Sequence, residues 1–85
     1  MDTGDQSSQA QEVLLALLRE LRIDAGLRQS DVARRLNSPQ SMVSKYEAGE
    51  RRLDILEIRV ICGFFDLSLC EFVALLEKRL AEVDP

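Results

Sequence analysis

Residues Gln29–Glu47 read QSDVARRLNSPQSMVSKYE, and this stretch decides the fold. Val32, Ala33 and Leu36 recur at helical spacing and predict a helix over 29–36. Asn37 tolerates left-handed backbone and ends it. Ser38–Pro39 is a start signal, a hydroxyl cap followed by proline at the first helical position. A second helix is therefore expected over 39–47, with Val43 and Tyr46 facing inward. Two short helices joined by so tight a turn cross steeply, and the second projects one face clear of the body. That face carries Gln40, Ser41, Ser44 and Lys45 with no acid among them, and Met42 lies at its boundary. An amide suits adenine, a hydroxyl suits several bases, and an ammonium suits guanine or phosphate. The bland alternative is a helical hairpin with a solvated polar face.

Working outward, the same signals repeat. Val13, Leu14, Leu17, Leu18 and Leu21 recur at helical spacing behind a capping box at Ser8–Gln11, and Gly26 ends that helix. Residues 1–8 form a polar tail expected to be flexible. Beyond Gly49 and a loop, Asp54 caps a helix to about Phe64, with Ile55, Ile58 and Ile61 or Cys62 inward. Ser68-x-x-Glu71 is a second capping box. It opens a fifth helix to about Glu82, with Leu69, Phe72, Val73, Leu76 and Leu80 on one stripe. The expectation is a compact all-α bundle of five helices in one domain over 9–83. A core of this size needs no staple from metal or disulfide.

Charge sharpens the picture. The 85-residue chain is -4 overall, which argues against nucleic acid if taken alone. Its distribution is uneven. Arg19–Arg52 holds eight basic and five acidic residues, whereas the remainder holds three basic and ten acidic. A basic face on an acidic body follows.

Cys62 and Cys70 without any histidine make no zinc site, and both are expected as buried free thiols. No metal or cofactor is implied. Catalysis finds no support, because there is no histidine, no Gly-rich phosphate loop and no base beside either thiol. The apolar runs fall short of a membrane span. A soluble cytoplasmic protein without a small-molecule substrate is expected.

Three stretches carry a family resemblance: L-R-x-x-x-G-L at Leu21–Leu27, Q-S-D-V-A-R-R-L at Gln29–Leu36 and S-P-Q-S-M-V-S-K-Y-E-x-G-E-R-R at Ser38–Arg52. With them Leu21–Leu69 resembles the phage-repressor and Cro-like (XRE-type) helix-turn-helix regulators of bacteria and phages. The resemblance implies the five-helix repressor-type fold. It also implies binding to an operator as a dimer on two half-sites about one DNA turn apart.

By the same resemblance, Gln29 bonds a phosphate and braces the first base-reading residue. Gln40, Ser41 and Lys45 read bases, and Arg51 and Arg52 grip the backbone. Arg22 and Glu47 form a structural ion pair. Arg28 stands where Ser or Thr usually caps the second helix, and it either reaches a phosphate or is simply solvated. Asn37 replaces the usual turn glycine, and Leu53 replaces a frequent proline. Arg34 and Arg35 lie outside the apolar face, where solvation is the preferred reading.

The fifth-helix stripe is longer than one small core covers. Phe72, Val73, Leu76 and Leu80 are therefore expected to meet a second copy across a two-fold axis. Folding of the stripe onto the first helix is the alternative. In function, the leading expectation is an operator-binding repressor. The competing one is an antitoxin or adaptor that uses the same fold to bind a protein partner.

Overall fold

Four of the five helix ends are built the same way, and that repetition explains how short helices pack at fixed angles. The computed structural model describes the backbone of residues 3–83 and the side chains of 9–83. Over that range the chain forms α1 (Thr3–Asp24), α2 (Gln29–Arg35), α3 (Gln40–Glu47), α4 (Ile55–Gly63) and α5 (Leu69–Val83), with no strand among the described residues.

Gly26, Asn37, Gly49 and Asp66 each take positive φ, at 74°, 54°, 81° and 59°. Behind each, an amide reaches back five residues to a helix carbonyl. Leu27 N–H donates to Arg22 O, Ser38 to Ala33, Glu50 to Lys45 and Leu67 to Cys62. This left-handed closure satisfies carbonyls that a helix end leaves free and turns the chain sharply. Glycine at 26 and 49 meets the conformation without strain, and the short polar side chains at 37 and 66 tolerate it.

Helix starts vary more. Asp54 and Glu57 form a reciprocal box across the first turn of α4, with bonds of 2.8 and 2.9 Å. Ser68 and Glu71 do the same for α5, at 3.0 and 2.8 Å. At α3 the expectation is corrected. Pro39 is the cap residue rather than the first helical one, and the Ser38 hydroxyl donates backward to Leu36 O instead of capping. At α1 the helix begins at Thr3 rather than behind Ser8. Residues 1 and 2 of the expected tail, and the Ser8 side chain of the expected box, lie outside the described residues.

One core unites all five helices: Leu17, Leu18, Val32, Ala33, Val43, Tyr46, Ile61, Cys62 and Phe72 are buried together. Ala33 is small enough for α2 and α3 to pack closely, and α1 lies across α3 and α5. The Tyr46 hydroxyl is buried and finds no hydrogen-bond partner among the described residues.

Two corrections concern the apolar surface. Phe72 is 1% exposed and belongs to the core, so it cannot meet a second copy. Leu76 is half-buried against the same core, and Leu80 is half-buried. The α5 stripe thus folds back on α1, where Arg79 makes a bidentate pair with Glu20 at 2.8 and 2.9 Å; of the stripe's four proposed contact residues only Val73 is exposed. The second correction is at α4. Ile55 faces out rather than in, and with Leu56 and Val60 it forms an exposed apolar surface. Helical geometry explains this, since Ile58, Ile61 and Cys62 already fill the inward arc.

Candidate nucleic-acid interface

Helix α3 divides cleanly into two faces. Val43 and Tyr46 are wholly buried, and Met42 is half-buried against the core. Gln40, Ser41, Ser44 and Lys45 are all exposed. Their spacing of one, four and five residues places them on one side of the helix. Glu47 is the only acid of α3, and its side chain is 6% exposed. The outward face therefore offers amide, hydroxyl and ammonium groups with no carboxylate.

A chain of hydrogen bonds explains where that carboxylate goes. Arg22 Nε donates to Glu47 Oε2 at 2.7 Å and its Nη2 to Oε1 at 3.2 Å. Nη1 of the same guanidinium donates to Leu27 O at 2.9 Å, closing the α1–α2 turn. Gln29 Nε2 donates to Glu47 Oε1 at 3.0 Å. Gln29 Oε1 then accepts from Gln40 Nε2 at 3.5 Å. One path thus runs from the buried ion pair through the first residue of α2 to the first residue of the exposed face. Its inner bonds hold the Gln29 side chain beside Gln40, and the last link, long and exposed, is a weak one.

The fold agrees with known proteins. A helix-turn-helix family model matches residues 18–72. The chain belongs to the XRE-type helix-turn-helix family. A solved structure described as an XRE-family like protein from Pseudomonas syringae pv. tomato str. DC3000 is 35% identical, with a TM-score of 0.81 over 100% of both chains. Among curated proteins none matches. The family's fold is that of DNA-binding transcriptional regulators, and in this XRE-type protein the matched span contains α2, α3 and the whole of the network just described.

The flanking cations of the XRE-type domain are less free than their sequence implies. Arg28 precedes α2 without capping it, because a guanidinium has no acceptor. Asp31 does the reverse half of the box: its Oδ2 accepts from Arg28 N at 2.8 Å and from Arg28 Nε at 3.2 Å. The same carboxylate takes Arg34 Nη2 at 2.8 Å. These bonds, the Arg28 side chain foremost and its backbone N–H next, hold the Asp31 carboxyl well below the usual carboxylate range. Arg51 pairs with Glu57 at 2.9 Å, and Arg35 lies 5.9 Å from the centre of the Phe64 ring. Lys45 and Arg52 are exposed and make no ion pair among the described residues.

Asp31 and Glu57 escaped the sequence reading. The signal was present at Asp31, since Arg28-x-x-Asp31-x-x-Arg34 places two cations three residues either side of one acid. Cys62 is buried as expected, and burial pushes its thiol up to about 11. Cys70 is exposed, contrary to expectation, because it lies on the solvent side of the first turn of α5. Among the described residues no cluster of metal-ligating side chains occurs, and no helix is long and apolar enough to cross a membrane.

Proposed function

We propose that this protein is an operator-binding transcriptional repressor that reads base edges in the major groove with α3. The observation that carries the reading is the acid-free exposed face of Gln40, Ser41, Ser44 and Lys45, backed by the buried Val43 and Tyr46. Gln40 and Ser41 sit at the start of the helix, where a recognition helix meets bases. Lys45 follows one turn on, toward guanine or phosphate. Gln29, which bonds Gln40, together with Arg28, Arg51 and Arg52, supplies phosphate contacts that set register.

Association of two copies belongs to the same reading. A chain of net charge -4 attracts DNA weakly at long range, and a dimer makes the second half-site effectively intramolecular. With Phe72 in the core, the most exposed group of apolar side chains offered to a second copy is that of α4. Ile55 is 60% exposed, Leu56 69% and Val60 47%. An exposed apolar cluster of this kind marks an association surface.

The test is selection of bound duplexes from a random pool at stated salt. A palindrome with half-sites about 10 base pairs apart is expected. Gln40→Ala with Lys45→Ala should remove discrimination while leaving weak sequence-independent binding. Unchanged discrimination in that variant refutes the reading, as does a pool from which nothing is enriched. Light scattering at micromolar concentration checks the dimer, which Leu56→Glu should dissociate. A monomer at all concentrations, with and without duplex, removes it.

A further inference from the structure

Arg28, Arg34 and Arg51 are each already paired with a carboxylate, and one carboxylate engages two of them. Asp31 lies three residues after Arg28 and three before Arg34. It accepts two bonds from the Arg28 side chain, one from the Arg28 backbone N–H and one from Arg34. Of these, the bond from Arg28 Nη2 to Oδ1 spans 3.2 Å and makes the pairing with Arg28 bidentate. The two cations are 78% and 71% exposed at the side chain, whereas Asp31 is 18% exposed beneath them. The acid is thus the sheltered member and the arginines lie exposed around it.

The cluster spans α2, from Arg28 at the start nearest the proposed DNA surface to Arg34 in the last turn. Arg28 immediately precedes Gln29, whose amide touches Gln40 of the exposed α3 face. A phosphate arriving there meets Arg28 and Arg34 paired rather than free, with a carboxylate behind them.

We propose that Asp31 competes with DNA phosphate for Arg28 and Arg34 and so holds down the affinity of this protein for DNA. The proposal rests on the DNA-binding reading above and adds to it a residue that tempers binding. Part of what each arginine gains from phosphate is lost in leaving Asp31. The pairing therefore lowers the number of counterions that binding releases.

Asp31→Asn tests this, because the amide oxygen still accepts from the Arg28 N–H and keeps the start of α2 intact, while the charge is gone. The probe is a 20-base-pair duplex of mixed sequence, since phosphate contacts need no operator. Each phosphate contact contributes about -0.9 to the slope of log K against log salt. Freeing two arginines should steepen that slope by about 0.9 to 1.8 units. The affinity advantage of the variant over the native chain should then shrink about 3- to 12-fold between 50 and 200 mM salt.

Adding Arg28→Gln and Arg34→Gln to Asp31→Asn should abolish the advantage. In the otherwise native chain those two glutamine substitutions should flatten the slope by clearly less than the full ~1.8 units. Equal slopes for Asp31→Asn and the native chain overturn the proposal, and so does an advantage that survives without the two arginines. Absence of any duplex binding by either chain overturns the DNA-binding reading itself, which separates the two failures.

Discussion

Replacing Glu47 with alanine tests the physical heart of this domain. The substitution removes three hydrogen bonds to one carboxylate, two from Arg22 and one from Gln29. It also leaves Arg22, a residue only 9% exposed, without its counter-charge. Breaking one side of a buried pair costs about 3–5 kcal/mol. Arg22 keeps its bond to Leu27 O and retains some contact with solvent, so the low end applies, about 3 kcal/mol. Against a typical domain stability of about 5–15 kcal/mol this is a large fraction. For a domain of this size it lowers Tm by about 12–24 °C. Urea and thermal melts followed by circular dichroism read it directly.

The companion variant, Arg22→Met with Glu47→Leu, replaces both charges by apolar groups of similar bulk and should recover most of the lost stability. It should not recover DNA binding. Gln29 still lacks its acceptor, and one hydrogen bond of about 1 kcal/mol corresponds to about fivefold in affinity. A loss below about 1 kcal/mol in Glu47→Ala would mean that the pair is solvated and the network carries no load. Full DNA affinity in the apolar variant would mean that Gln29 needs no bracing.

Three further outcomes are expected. Tyr46→Phe should stabilise the protein by about 1 kcal/mol, because it removes a buried hydroxyl that has no protein partner among the described residues; a clear loss in a urea melt would show that the hydroxyl is bonded. In the native protein one thiol per chain, Cys70, should react promptly with a disulfide reagent, while Cys62, buried and pushed up to about 11, reacts only on unfolding; two fast thiols would contradict the core. Stability should be flat from pH 5 to 8, since there is no histidine, and fall below about pH 4. Arginine bonds lower the carboxyls of Asp31, Glu57 and Glu20 in the fold. Their contribution is therefore complete above the unfolded carboxylate range and disappears as pH falls through the lower folded values. A drop in Tm between pH 7 and 5.5 would contradict this.

What the residues alone determined about this chain is what depends on near neighbours. The ends at Gly26, Asn37 and Gly49, the box at Ser68 and Glu71, and the inward Val43 and Tyr46 follow from bonds within one turn or from the helical period. The exposed set Gln40, Ser41, Ser44 and Lys45 follows from the same period, once Val43 and Tyr46 are placed inside. Tertiary packing decided the rest. Whether the α5 stripe met α1 or a second copy depended on how far Phe72 and Leu76 reached into a core built by other helices. The outward turn of Ile55 depended on which α4 residues reached that core first. Arg79 and Glu20, 59 residues apart, and Arg22 and Glu47, 25 apart, meet because the fold brings their helices together, and no periodicity encodes such a meeting. Helix formation is a local equilibrium, whereas the choice of which apolar face and which charge finds a partner is made only when all five helices compete for one interior.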